Sequence, residues 1–106
     1  MLVATLHSEF AVAAYFAYIL STRSRSLDLG TTINLVRRVG RHRAMDPDRH
    51  RDYRLVYFER CKTAEAAAQR ERELGRLTHQ RLTDLITAHN PSWRDLSADW
   101  FIARRA

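Results

Sequence analysis

Apolar residues in this chain fall into short runs separated by polar turns, and the period of each run assigns an element. Tyr15 to Ser21 is a continuous aromatic and aliphatic run of strand length. Ser21 to Ser26 is polar and turn-like. Ser26 to Thr31, closing around Gly30, is a second short strand, so the two runs predict a hairpin. Thr32 stands where it can cap a helix whose apolar stripe is Leu35, Val36 and Val39. Arg43 to Asp52, with Pro47, is a charged loop. Tyr53 to Arg60 carries apolar residues on both faces, which predicts a strand lying centrally in a sheet and covered on each side. Thr63 caps an alanine-rich helix running to about Leu74, with Gly75 placed to end it. A further helix, His79 to His89, has Leu82, Leu85 and Ile86 on one face, and Asn90-Pro91 stops it. The tail holds Trp93, Leu96, Trp100 and Phe101.

The order strand, strand, helix, strand, helix, helix predicts an α+β domain built on a small, three-stranded, mainly antiparallel sheet flanked by helices. Residues 1–14 form an N-terminal extension and residues 15–106 one domain. With 45% hydrophobic residues there is material for a core, and three Gly and two Pro argue against disorder. Glu9 interrupts the first apolar run and no basic region precedes it, so a secretory signal is not expected. No stretch reaches the ~20 apolar residues that a membrane span requires. Cys61 stands alone, which excludes a disulfide framework and a multi-cysteine zinc site and leads to the expectation of a reducing, cytoplasmic setting.

Charge narrows the partners. The formal net charge is +6, and Lys62 is the only lysine among the cationic residues. A basic, arginine-rich chain is attracted to phosphate backbones, and arginine is the better planar, bidentate partner for phosphate. Arginine bias also follows from base composition alone, so both origins stay open at this point.

Three places carry candidate chemistry. At about 100° per residue, Ala67, Ala68 and Leu74 share one arc of their helix, and Glu71 falls in the middle of it, with Glu65 and Glu73 turned toward solvent. A carboxylate facing a core must be paired, neutralised or metal-bound, so Glu71 is either in a salt bridge with a nearby arginine or a ligand. Arg38 and His42, four residues apart, share a face at the edge of the Leu35/Val39 stripe, and Arg37 and Arg41 turn away. They are either surface residues with buried stems or a pair able to hold a phosphate and a water. Tyr18 sits among apolar neighbours on the first strand. The loop Asp46, Asp48, His50, Asp52 has the look of a solvated acidic stretch rather than a metal site.

These runs resemble the core of the GIY-YIG nucleases, in particular the small, stand-alone bacterial branch of that superfamily. The resemblance rests on Phe16-Ala17-Tyr18-Ile19-Leu20, on Ser26-Leu27-Asp28-Leu29-Gly30-Thr31-Thr32, and on Asn34 through His42. It continues in Arg54-Leu55-Val56-Tyr57-Phe58-Glu59, in Ala68-Gln69-Arg70-Glu71-Arg72-Glu73-Leu74, and in Asn90-Pro91-Ser92-Trp93-Arg94-Asp95-Leu96-Ser97 with Trp100. It spans roughly Tyr15 to Phe101. What it implies is hydrolysis of a phosphodiester bond with one divalent metal, Mg2+ or Mn2+. Tyr18, Arg38 and His42 match the catalytic positions, Glu71 the metal ligand, and Gly30 the glycine closing the second motif. Asn90 matches an asparagine that would face nucleic acid, as Arg37 and Arg41 would. The chain departs from the pattern at Asp28, where the second motif begins with tyrosine, and at Phe16, where the first motif has glycine. Asp28 is carried as a catalytic-site position able to bind water or metal.

The sequence therefore predicts a metal-dependent endonuclease of low or structure-based specificity, with DNA as partner, RNA as the alternative, and no membrane. The competing readings are a catalytically inactive nucleic-acid-binding module of the same fold and a structural protein that binds no nucleic acid.

Overall fold

A computed structural model describes residues 14–45 and 53–100. The expected N-terminal extension, apart from Ala14, lies outside the described residues, as do Phe101 and residues 46–52 of the loop expected over 43–52, whose first three residues are instead helical. Three strands, β1 (Tyr15–Ser21), β2 (Leu27–Thr32) and β3 (Arg54–Cys61), and three helices, α1 (Leu35–Met45), α2 (Ala64–Gly75) and α3 (His79–His89), follow in the order β1-β2-α1-β3-α2-α3. The sheet is three-stranded and antiparallel with spatial order β2-β1-β3, so the fold is α+β.

Phe16 to Ser21 are all buried, because β1 has a layer on each face. On one face Phe16, Tyr18 and Leu20 pack with Ala14, Leu35, Val39, Leu55 and Trp100. On the other, Ile19 packs with Val56, Tyr57, Leu74, Leu82, Ile86 and Trp93. Ala14 belongs to the first cluster, so the packed domain begins one residue before the expected boundary at 15.

β1, not β3, is the central strand. The apolar pattern of β3 predicts a central strand, but burial on two faces says nothing about pairing on two edges. Leu55 enters one core and Val56 and Tyr57 the other, while among the described residues β3 pairs with no strand but β1. The two consecutive residues share a cluster because of a bulge: Ile19 pairs with Tyr57 and Leu20 with Leu55, leaving Val56 as the additional residue. The outer edge of β3 is covered by the C-terminal segment. Leu96 N–H donates to the Leu55 carbonyl at 2.8 Å, Leu55 N–H to Asp95 Oδ1 at 3.1 Å, and Asn90 Nδ2 to the Val56 carbonyl at 3.1 Å. An otherwise open strand edge is thereby satisfied within the chain.

Two capping expectations change. α1 is capped by Asn34, whose Oδ1 accepts from Arg37 N–H at 3.0 Å. Thr32 is still in β2, opposite Phe16, and its hydroxyl oxygen accepts from Asn34 N–H at 3.1 Å. α2 starts as expected, with Thr63 Oγ1 accepting from Ala66 N–H at 3.0 Å. Its last residue, Gly75, has no positive φ, and Arg76 caps the helix in ordinary right-handed geometry. Thr78 caps α3 by accepting from Arg81 N–H at 3.2 Å. Among the described residues, no helix is long and apolar enough to cross a membrane.

Candidate active site

Tyr18 lies at the middle of the central strand, opposite Gly30 on β2 and Phe58 on β3. Directly opposed residues share a face, so Gly30 presents bare backbone to the Tyr18 ring. A Cβ added to Gly30 would stand 2.5 Å from the Tyr18 hydroxyl oxygen and 2.7 Å from Cζ. The phenol occupies the space that any side chain at position 30 would fill. Gly30 is thus needed for close approach rather than for backbone conformation.

Charges from three other elements act on this phenol. Arg38 on α1, Asp28 on β2 and Glu71 on α2 all lie within electrostatic range of it. Burial dominates and raises the Tyr18 pKa above its ordinary value. Arg38 lowers it, while Asp28 and Glu71 raise it. At neutral pH Tyr18 therefore keeps its proton and acts as a hydrogen-bonding hydroxyl. Asp28 is exposed and pairs with Leu20, which puts it on the Tyr18 side of the sheet one pleat from Gly30.

The helical faces follow the sequence pattern. Arg38 and His42 are half-buried on α1, whereas Arg37 and Arg41 are exposed. The His42 ring meets Tyr53 edge-on, with centroids 5.8 Å apart. On α2, Ala67 and Leu74 are buried, Glu71 is half-buried between them, and Glu65 and Glu73 are exposed. Among the described residues Glu71 forms no ion pair; its neighbour Arg70 does. Arg70 Nε donates to both Glu59 oxygens, at 2.9 and 3.1 Å, and Arg70 also reaches Glu73 at 3.2 Å. Tyr57 donates to Glu59 from the same strand, and its phenol is pushed up to about 12, first by burial and then by that carboxylate. This cluster fastens α2 to β3 and so fixes where Glu71, one residue on, is held.

Asn90 is not placed to meet a ligand. It is 4% exposed and its amide is fully engaged: Nδ2 donates to the Val56 and Arg94 carbonyls, and Oδ1 accepts from Arg94 N–H. Its assignment to nucleic-acid contact gives way to a structural one, pinning the C-terminal segment to the edge of β3.

For a divalent ion, the carboxylates within electrostatic range of Tyr18 are Glu71 and Asp28. Among the described residues no group of three or more His, Cys, Asp or Glu side chains comes together. Magnesium commonly takes one or two protein carboxylates, with water and substrate phosphate completing its shell, so Glu71, alone or with Asp28, is a donor of the right chemical type.

Sequence reasoning missed one feature at the hairpin end of the sheet. Arg25, in the β1-β2 turn, lies over the Trp93 ring with its guanidinium carbon 4.1 Å from the centroid. No local period links the two positions. No family model, curated protein or solved structure matches this chain, so its function is argued from these residues and their geometry.

Proposed function

We propose that the chain is a metal-dependent endonuclease of the GIY-YIG type, hydrolysing phosphodiester bonds in nucleic acid with low or structure-based specificity. What supports this reading is that Arg38, Asp28 and Glu71, from three separate elements, all lie within electrostatic range of one buried phenol. A tyrosine kept only for packing needs none of them.

Phosphodiester hydrolysis requires an oriented nucleophile, a Lewis acid and a cation for the developing charge. Arg38 supplies the cation, with a planar guanidinium fork that matches two phosphate oxygens. Tyr18, protonated in the resting site, orients water or phosphate through its hydroxyl. For Tyr18 to accept a proton its own must first leave, and His42, one turn beyond Arg38 on the same half-buried face of α1, is the imidazole proposed to take it. Glu71, with Asp28 as second carboxylate, would hold magnesium or manganese, which when bound supplies Lewis acidity at the phosphate. Arg37 and Arg41, on the outward side of α1, are the positions for backbone contacts with DNA or RNA.

The test is cleavage of linear and branched DNA and of RNA with magnesium and with manganese. Wild-type cleavage is expected to be weak and clearest with manganese, because two carboxylates repel the scissile phosphate. Glu71→Ala should abolish it with fold and binding intact, and Asp28→Tyr should raise it. Undiminished cleavage by Glu71→Ala would overturn the site. The second reading, an inactive binding module, is favoured by Asp28 itself. It stands if Asp28→Tyr folds and binds nucleic acid yet stays inactive with both metals.

A further inference from the structure

A second cationic site is built at the hairpin end of the sheet, some three residues along β1 from Tyr18, or roughly 10 Å at strand rise. The β1-β2 turn is a three-residue loop. Thr22 N–H donates to the Ser26 carbonyl at 3.0 Å, and Arg25 N–H donates to the Thr22 carbonyl at 2.9 Å. In such loops the third residue is left-handed and is ordinarily glycine. Here it is Arg25, with φ 64°. The only other non-glycine residue at positive φ among those described is Trp93, at 54°, closing a turn in which its N–H donates to the Asn90 carbonyl at 2.9 Å. The two strained residues are stacked on each other.

Both are held from behind. The Trp93 indole N–H donates to Thr87 Oγ1 at 2.9 Å, and a His79 ring nitrogen lies 3.0 Å from the Arg25 carbonyl. Beside them is a cavity of about 150 Å3 lined by Arg23, Arg25 and Arg54, with Ser21, Thr22, Ser92, Val56 and Trp93. None of these lining residues is a carboxylate. At about 30 Å3 per water the space holds roughly five waters, enough for a tetrahedral oxyanion. Stacking on an indole uses the face of a guanidinium and leaves its in-plane N–H donors for a bidentate acceptor. Arg25 and Arg54 beside one small cavity repel one another unless an anion sits between them.

We propose that this pocket is a phosphate-binding site, distinct from the Tyr18 site, in which Arg25 and Arg54 hold a phosphoryl group and Ser92 and Thr22 line it with hydroxyls. Strain at Arg25 and Trp93 is retained because it puts a rigid guanidinium at the rim. The phosphate is a backbone phosphate of the nucleic acid or a free phosphate; the former source alone rests on the nuclease reading.

The experiment is a titration of the whole chain with inorganic phosphate, followed by two-dimensional NMR at the Trp93 indole N–H and the Ser92 and Arg25 amides, beside oligonucleotide binding over a range of salt. Phosphate should move the Trp93 and Ser92 signals saturably. Arg25→Gly, which suits the turn, and Arg54→Gln should each weaken this by about tenfold or more while the rest of the spectrum stays native. If the source is nucleic acid, each variant also lowers the salt slope of oligonucleotide binding by about one. If the source is free phosphate, the oligonucleotide slope is unchanged and the phosphate titration alone is lost. Trp93 and Ser92 signals that phosphate does not move, or variants that bind phosphate like wild type, overturn the site. Failure of Glu71→Ala to stop cleavage would overturn the nuclease reading and leave this result as it stands.

Discussion

Replacing Gly30 with alanine tests the geometry around Tyr18 directly. The new methyl would lie 2.5 Å from the Tyr18 hydroxyl oxygen, 2.7 Å from Cζ and 3.1 Å from Cε2. All three are closer than the ~3.5–4.0 Å at which non-bonded carbon atoms attract. The ring cannot step aside freely, because Tyr18 is 4% exposed and packed among Phe16, Leu20, Leu35 and Val39. Forcing a methyl into such a core costs about 1–3 kcal/mol, and the stiffer unfolded chain offsets about 0.4–1 of that. The net expectation is a loss of about 1–2 kcal/mol, read by urea unfolding, with a fall of roughly 4–8 °C in Tm for each kcal/mol. Tyr18→Leu removes the atoms the methyl would strike. In that background Gly30→Ala should be neutral or stabilising, a coupling of about 1–3 kcal/mol between the two positions. Additive effects, or a Gly30→Ala protein as stable as wild type, would refute the close approach and with it the reason for a glycine there.

Three further outcomes are expected. Asn90→Ala leaves the Val56 and Arg94 carbonyls and the Arg94 N–H without their side-chain partner; it should cost on the order of 2–4 kcal/mol in denaturant unfolding, while nucleic-acid affinity at a temperature where the variant stays folded is unchanged. The Tyr57 phenol, at about 12 in the fold against about 10 unfolded, holds its proton more tightly in the native state. That contribution is complete below pH ~10 and is lost as pH rises through ~12, a decline of up to roughly 2–3 kcal/mol that Tyr57→Phe should flatten. An equally steep decline in the variant would contradict the burial and the Glu59 contact as its cause. Arg37→Ala with Arg41→Ala should lower the salt slope of nucleic-acid binding by nearly two, at about 0.9 per phosphate contact; a slope equal to that of wild type would remove α1 from the interface.

What the sequence determined by itself was local. Strand and helix periods depend on neighbours two, three or four residues away, so β1, β3, α2 and α3 were legible, as was the Thr63 cap. The same periodicity separated Arg38 and His42 from Arg37 and Arg41 and turned Glu71 inward among alanines, before any partner was known. The tertiary structure decided what depends on meetings between distant segments. β1 and not β3 is central, since apolar residues on both faces report covering layers and not paired edges. The bulge at Val56 arises only from the register between two strands. The helix cap moved from Thr32 to Asn34 because pairing with Phe16 draws β2 out through Thr32. Asn90 was read as a ligand contact because its type and place allowed one, and the edge of β3, some 34 residues earlier, took its amide instead. Gly30 was legible as a motif position, but its reason, the phenol lying across it, exists only once β1 and β2 are paired. Arg25 and Trp93 carry no shared local pattern at all: two turns, each holding its residue at positive φ, bring an arginine and an indole together only when the hairpin and the C-terminal segment pack at the same end of the sheet.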